Sequence, residues 1–328
     1  MSSTLEAILA SWPNTPWLWA AAAWTAAVYG RGWWELHRRD RERWRWRQPI
    51  AFGGGLAAML LALASPIEPL AALLLQAHMV QHLLLMMVAP PLLWLGDPLF
   101  PCLRGLPRSV RRDGCAPLLR ADGLRQAFDR LTWPPVALVV YTAVAWLGHV
   151  PGIYETALRS DGWHVVQHTA FLAAALLFWY PVVRPYPSRP SWSAWLLIPY
   201  LVLADVGNTV LAALITFSGR VLYPYYEGVP RLAGLSALDD QAAAGVWMWV
   251  PGSVAFLLPL FAIGLRLVSG PAATQGAKRL TARRAVASEV SLPAMPEEVR
   301  RPGIAHHSRP AGRAIDVLRF AILGRLLT

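Results

Sequence analysis

Seven long apolar runs dominate this chain, and each is close to the length that crosses a lipid bilayer. A membrane-spanning helix needs about 20 mostly apolar residues. With 55% hydrophobic residues and a mean hydropathy of +0.38, the chain is too apolar for an ordinary soluble domain. We therefore predict an all-α fold, a polytopic membrane helix bundle. Its seven predicted transmembrane helices are 17–33, 50–67, 73–95, 135–150, 163–183, 195–217 and 243–268.

Basic residues mark alternate connections between the predicted spans. Arginines crowd the first connection, the third connection and the region after residue 268, whereas residues 1–16 and the second connection carry neither lysine nor arginine. Cytoplasmic loops are enriched in these residues, so we predict the N-terminus outside and the C-terminus inside, as an odd number of spans requires. The same distribution indicates a lipid bilayer, and not a nucleic acid, as the partner of the +11 net charge.

Composition changes abruptly after the last predicted span and divides the chain into 1–268 and 269–328. The first part is the predicted seven-span membrane domain. The second is rich in arginine, proline and alanine, and such a segment buries too little apolar surface to offset its ordering entropy. We predict a cytoplasmic tail that is mostly mobile. Within it, 314–327 has the pattern of a helix on the inner membrane surface, although a frayed tail explains the same residues.

A five-residue motif, His-x-Val-Gln-His, occurs twice, and both copies fall inside predicted spans. One copy runs from His78 to His82 and the other from His164 to His168. Residues four apart share a face of an α-helix, so each copy projects two imidazoles from one stripe. With the predicted topology, all four lie at similar depth in the outer half of the membrane. Ionisable residues within spans are costly and mark functional sites, and we predict that these four bind a metal ion.

Further polar residues are predicted at the same depth. His149 ends the fourth span, and Asp240 precedes the seventh. Asp205 and Asn208 share a face of the sixth span. A carboxylate in lipid needs a partner and could fix the tautomer of a ligating histidine, so we predict that these four residues support the site. A simpler explanation is that His149 bridges two helices and that Asp240 caps its own helix.

Methionines close to the motif add sulfur to the predicted donor set. Met79 lies within the first motif copy, and Met248 lies about two turns into the seventh span. Thioether sulfur suits monovalent copper, so both are weaker candidate ligands. Packing in the core explains the same residues.

The histidines allow three interpretations that differ in the ligand. Imidazole with thioether suits copper, and a site near the outside matches the compartment where copper is handled. Two imidazoles from different helices could instead hold haem b in an electron-transfer protein. They could also bridge the helices of a metal-free scaffold. A zinc protease motif is excluded, because Met79 and Val165 stand where His-Glu-x-x-His has its glutamate, and we predict that the protein is not an enzyme.

Three ordered blocks of sequence resemble a known family. The first is His-Met-Val-Gln-His-Leu-Leu-Leu-Met-Met-Val-Ala-Pro-Pro-Leu-Leu from residue 78, followed by Gly96-Asp97-Pro98. The second is Trp-His-Val-Val-Gln-His from residue 163 with Phe-Trp-Tyr-Pro from residue 178. The third is Asp-Gln at residue 240 through Met-Trp-Val-Pro-Gly from residue 248. They are similar to the recurring blocks of the CtaG-type cytochrome c oxidase assembly factors, the caa3 CtaG family, over about residues 50–268.

The resemblance implies an accessory membrane protein needed to form an active haem-copper oxidase through copper supply to its centres. It implies haem-copper oxidase subunits and an external copper donor protein as partners, and a location in the bacterial cytoplasmic membrane. It does not carry a ligand set. The assignment of copper to His78, His82, His164 and His168 therefore rests on their spacing, depth and chemistry.

Overall fold

A computed structural model describes the protein at residues 10–188, 192–232 and 234–268. All regular secondary structure in these ranges is helical, which confirms the predicted all-α fold. The α-helices are α1 (Pro16–Arg39), α2 (Arg47–Leu63), α3 (Ile67–Ala71), α4 (Leu75–Leu83), α5 (Ala89–Leu95), α6 (Leu99–Gly105), α7 (Ala116–Arg120), α8 (Asp122–Leu131), α9 (Pro134–Gly148), α10 (Pro151–Arg159), α11 (Asp161–Val183), α12 (Leu197–Thr216) and α13 (Ala237–Val268). Two π-helical turns (Leu84–Val88 and Val110–Cys115) and two 3-10 turns (Ala194–Leu196 and Pro224–Glu227) complete the set.

The chain divides into two compact units, Met1–Leu260 and Phe261–Thr328. The first contains all the predicted site residues. In the second, the described residues 261–268 are helical. The predicted tail, with its helix at 314–327, lies outside the described residues.

Among the described residues, four stretches of helix are long and apolar enough to cross a membrane, or five if one bent pair counts as a single span. The bent pair is α8 with α9, which meet at 71°. These five match the third to seventh predicted spans. The first and second fall on α1 and on α2, which is apolar but only 17 residues long. The structure therefore supports a membrane protein with four or five candidate spans, and the seven-span topology stays a prediction. The four long stretches are Leu75–Leu95, Asp161–Val183, Ala194–Thr216 and Ala237–Val268.

Two prolines interrupt the span that contains the first histidine motif. Pro90 and Pro91 lack the backbone N–H groups that would bond the carbonyls of Met86 and Met87, four residues earlier. The chain widens at this point into the π-helical turn Leu84–Val88, directly after the motif. Such turns occur mostly within α-helices and frequently at functional sites.

Helix α11 is tied to this span by two indole hydrogen bonds that run in opposite directions. Trp179 Nε1 donates to the Met86 carbonyl at 2.8 Å, which gives a partner to a carbonyl that Pro90 leaves without one. Trp94 Nε1 donates to the Leu176 carbonyl, also at 2.8 Å. Because both donors are rigid rings, the two histidine-bearing helices are held in a defined relation to one another.

At the far end of the same span, Asp97 joins three separate segments. Its Oδ1 accepts from the Tyr186 N–H at 2.6 Å, and its Oδ2 accepts from Gln48 Nε2 at 3.0 Å and Arg43 Nη2 at 3.3 Å. The Arg43 guanidinium also lies over the Tyr186 ring, 4.1 Å from its centroid. Asp97 has a φ of 48°, a left-handed conformation that aspartate tolerates better than most residues. We call these four residues the Asp97 corner.

Candidate metal centre

Two helices bring three of the four motif histidines together. His78 and His82 project from α4 and His168 from α11, and one ring nitrogen of each lies within 4.8 Å of the other two. The rings of His78 and His82 have centroids 4.5 Å apart, as the i, i+4 spacing requires. We call these three residues the histidine cluster. Imidazole nitrogens bind a metal such as zinc at about 2 Å, so small ring rotations would let all three reach one ion.

The cluster is buried, and several of its nitrogens have no hydrogen-bond partner in the described part of the chain. His78, His82 and His168 are 1%, 4% and 7% exposed. The orphaned atoms are Nε2 of His78, Nε2 of His168 and both ring nitrogens of His82. A buried polar atom without a partner destabilises a protein by about 1–3 kcal/mol and needs an explanation. A bound ion would supply one.

Tyr226 fixes the tautomer of His78. The Tyr226 hydroxyl lies 3.2 Å from His78 Nδ1 and donates its single proton to the Ala71 carbonyl at 2.9 Å. It can therefore only accept from His78, which places the imidazole proton on Nδ1. The Nε2 lone pair is left free, the state that a metal ligand needs. The sequence analysis missed Tyr226, which lies 148 residues from His78 along the chain.

His164, the fourth predicted ligand, lies at the edge of the cluster. Its ring centroid is 4.1 Å from that of His168 and 5.2 Å from that of His78, but it is not among the three residues whose nitrogens converge. Its Nδ1 lies 3.9 Å from Glu68 Oε1, and its side chain is 22% exposed. Glu68 was also missed, although it is the only charged residue between Arg47 and Asp97.

The glutamine of each motif copy holds its helix to the end of an earlier helix, α2 for the first copy and α9 for the second. Gln81 Nε2 donates to the Ala62 carbonyl at 2.8 Å, and Gln167 Nε2 donates to the Gly148 carbonyl at 2.9 Å. Each acceptor lies 19 residues before its glutamine. Both glutamines are buried. The repeated motif therefore has two roles, since three of its four histidines form the cluster while its glutamines fix the helices that carry them.

Asp240 supports the cluster from an unexpected direction. Both oxygens of its carboxylate accept backbone N–H groups at the start of α4, from Leu75 at 2.7 Å and Gln76 at 3.2 Å. The alternative that Asp240 caps its own helix is therefore wrong. It caps the helix that carries His78, where a carboxylate complements the positive end of the helix dipole.

The predicted role of Asp205 as an acceptor for a histidine is corrected by the structure. Asp205 Oδ1 accepts from Ser253 Oγ at 2.7 Å, so its described hydrogen bond joins α12 to α13. Asn208, predicted on the same face, donates from Nδ2 to the Met248 carbonyl at 3.1 Å. The i, i+3 reasoning was local and could not identify which neighbouring helix would supply the partners.

His149 and the two predicted methionines lie beside the cluster. The ring of His149 is 5.4 Å from that of His82, and its Nδ1 donates to the Ala145 carbonyl at 2.7 Å. Met79 and Met248 line a small cavity with His82 and His149. The structure thus puts these predicted residues within one region, and their binding of a metal stays a prediction.

Fold and site together define an all-helical membrane protein with a buried polyhistidine cluster between two of its apolar helices. A family model described as cytochrome c oxidase caa3 assembly factor matches residues 27–269. The chain therefore belongs to the caa3 CtaG family of cytochrome c oxidase assembly factors.

The chain is similar to curated proteins from mycobacteria. Two proteins named only as uncharacterized, from Mycobacterium bovis and Mycobacterium tuberculosis, are each 26% identical over 258 residues, covering 75% of this chain and 38% of the relative. A third, from Mycobacterium leprae, is 23% identical over 249 residues, covering 69% and 35%. The chain spans less than two fifths of the length of these relatives. No solved structure matches it.

Proposed function

We propose that this assembly factor binds copper at the histidine cluster and supplies it to a haem-copper oxidase in the same membrane. The observation that carries the proposal is the convergence of three buried imidazoles whose free nitrogens lie within 4.8 Å of one another. Oxidase assembly needs metal at the oxidase centres, and a protein that delivers an ion must bind it reversibly. Three neutral imidazoles could hold an ion without enclosing it.

The packing of the cluster supports an ion over a haem. A bis-histidine haem requires a flat slot for the macrocycle between imidazoles on its two faces. Here the rings contact one another directly, with centroids 4.1–5.7 Å apart among the four motif histidines. The Tyr154 ring fills the space beside them, 5.1 Å from His78. A small ion needs only a rotation of rings that are already adjacent.

His164 and Glu68 lie where an ion would enter. Both are partly exposed. His164 lies beside His168 of the cluster. Glu68 Oε1 faces His164, and Glu68 Oε2 accepts from Gln81 Nε2. A carboxylate beside an imidazole attracts a cation and can pass it to a softer site. We propose that this entry faces the outside, in a seven-span topology with the N-terminus outside and the C-terminus inside the bacterial cytoplasmic membrane. The arginine distribution supports that orientation.

Replacement of His78 and His168 by alanine tests the proposal. The wild-type protein, purified without a histidine tag, should retain copper, and the double variant should lose it while oxidase assembly in cells falls. The matched control is His37→Ala, because His37 is a histidine of α1 whose Nδ1 donates to the Trp44 carbonyl at 2.5 Å. It should leave the copper content unchanged.

Spectroscopy of the same preparations separates the alternatives. A Soret band in the wild type would replace the copper proposal with a haem b electron-transfer protein. Unchanged copper stoichiometry in the double variant would remove the cluster as the site. Metal-free wild type with normal oxidase assembly would indicate a scaffold for oxidase subunits.

A further inference from the structure

We infer that a second site, specific for a soft monovalent cation, lies beside the histidine cluster in a cavity lined by methionine. The inference rests on the proposed function, because it extends the route of copper beyond the cluster. The cavity is lined by Met79, Met86, Met87 and Met248 together with His82 and His149. Four of the seven methionines of the chain therefore meet at one place, which uniform use of methionine as packing does not explain.

His82 belongs to both sites. Its ring lies in the histidine cluster and also lines the cavity, and both of its ring nitrogens are buried without a hydrogen-bond partner among the described residues. A neutral imidazole has one free lone pair, on whichever ring nitrogen lacks the proton, so His82 can bind an ion on either side of its ring, one side at a time, by changing its tautomer. Transfer between the two sites then needs ligand exchange at His82 and a shift of its ring proton to the nitrogen that the ion leaves, with no passage of a bare ion through lipid.

His149 adds a second nitrogen that is ready to bind. Because its Nδ1 donates to the Ala145 carbonyl at 2.7 Å, its proton is on Nδ1 and the Nε2 lone pair is free. That Nε2 is buried and has no partner in the described part of the chain, and the side chain is only 4% exposed. Thioethers from up to three methionines and one or two imidazoles form a donor set that favours Cu(I) over the harder divalent ions.

The backbone is shaped to hold the methionines in place. In a regular α-helix, the side chains of consecutive residues point about 100° apart, so two neighbours do not face the same side. The π-helical turn Leu84–Val88 widens the helix, and Met86 and Met87 are both buried and both line the cavity. The Tyr141 hydroxyl donates to Met87 Sδ at 3.6 Å, so Met87 already has a partner. Met79, Met86 and Met248 are left as the sulfur ligands.

On the opposite wall, Asn208 holds Met248. Its Nδ2 donates to the Met248 carbonyl, and a Cβ added to Gly252 would lie 2.7 Å from the same nitrogen. Glycine at 252 therefore leaves the room that Asn208 needs. This explains why a polar residue predicted to support the histidines is hydrogen-bonded to the methionine wall instead.

Metal titration of the full-length protein in detergent tests the second site. Cu(I) should bind with about two equivalents, one at each site, whereas Zn(II) should bind with one, because zinc takes imidazole and not thioether. In the double variant Met86→Leu and Met248→Leu, Cu(I) should fall to one equivalent while Zn(II) is unchanged. Leucine is close to methionine in volume, so the fold should be retained.

Two further variants make the result specific. Met59→Leu, a methionine of α2 outside the cavity, should leave both stoichiometries unchanged. His78→Ala with His168→Ala should remove the Zn(II) equivalent. X-ray absorption of the wild type loaded with Cu(I) should show sulfur as well as nitrogen neighbours, and the sulfur contribution should disappear in the methionine variant.

The outcomes separate the two proposals. One Cu(I) equivalent in the wild type, lost on replacing the histidines but not the methionines, would overturn the second site and leave the proposed function standing. A wild type that binds neither metal would overturn both. Two Cu(I) equivalents that survive in the methionine variant would also overturn the second site.

Discussion

The two ends of the span Leu75–Leu95 differ in whether their buried polar groups have hydrogen-bond partners. At the Asp97 corner, both carboxylate oxygens have partners, and Gln48, which is 1% exposed, donates from Nε2 and accepts the Arg45 N–H through Oε1. At the histidine cluster, four buried ring nitrogens, Nε2 of His78, Nε2 of His168 and both of His82, have no partner among the described residues. The first arrangement stabilises the fold. The second leaves buried polar atoms without hydrogen bonds, so these atoms do not stabilise the apo protein.

This difference shows how buried polar residues that stabilise the fold of a membrane protein can be distinguished from those that bind a ligand. Both regions contain buried polar residues, and both include residues of the motif blocks that the sequence singled out. The hydrogen bonds distinguish them, because among the buried side-chain atoms of the described residues the Asp97 corner leaves only Arg43 Nε without a partner, whereas the histidine cluster leaves four ring nitrogens. A satisfied network rigidifies a structure, and unsatisfied buried groups need an explanation such as a bound ligand. Substitutions should therefore destabilise the apo protein at the Asp97 corner and leave it nearly unchanged at the histidine cluster.

The largest effect on the free energy of unfolding is expected for Asp97→Ala. The change removes the acceptor for the N–H groups of Gln48, Arg43 and Tyr186, and it puts alanine at a φ of 48°. We expect a loss of about 3 kcal/mol, measured as a lowered Tm of the purified protein in detergent.

Asp97→Asn provides the control for this change. Asparagine tolerates the left-handed conformation and keeps one carbonyl acceptor, so its Tm should fall much less. The copper bound per folded molecule should be the same in all three proteins. A stable Asp97→Ala variant that has lost its metal would reverse the assignment of the two regions.

A smaller effect is expected for Asp240→Ala. The carboxylate caps α4 from another helix through the Leu75 and Gln76 N–H groups, and loss of a helix cap costs about 1–2 kcal/mol. Because α4 carries His78 and His82, copper affinity should fall as well, and competition with a chelator would measure it.

The adjacent carboxylate gives a matched control for Asp240. Asp239 is exposed and accepts from Ser236 Oγ at 2.6 Å within its own helix end. Asp239→Ala should change the unfolding free energy by less than about 0.5 kcal/mol and leave copper affinity unaltered. Equal effects of the two substitutions would show that the cap on α4 contributes nothing specific.

Local patterns account for the parts of the fold that were predicted. Each apolar run falls on a helix, with ends that differ by up to six residues, because the length and hydropathy of a run are properties of consecutive positions. The i, i+4 spacing correctly puts His78 beside His82 for the same reason. Even the π-helical turn had a visible signal, since Pro90 and Pro91 remove two consecutive backbone donors.

Partners that lie far apart in the chain could not be read from such patterns. Asp240 caps a helix that begins 165 residues away, and Tyr226 meets His78 across 148 residues. Asp205 was assigned to the histidines because it lies in a span, yet its partner is Ser253. Which helices face one another depends on the packing of the whole bundle, and that information is distributed over many weak contacts.

The smallest change in apo stability is expected for His82→Leu. The sign of this change distinguishes a ring kept for a ligand from a ring that stabilises the fold. Replacing a buried side chain whose polar atoms have no partners by an apolar one of similar size is nearly neutral or stabilising. His37→Leu should instead destabilise by about 1 kcal/mol, because it leaves the Trp44 carbonyl without its donor.

Saturating Cu(I) should raise the Tm of the wild type and of the His37 variant, since binding to the native state stabilises it. The rise should be smaller for the His82 variant, because His82 belongs to both proposed sites. Destabilisation of the apo protein by His82→Leu would mean that its ring is structural, and the contrast between the two ends of the span would then disappear.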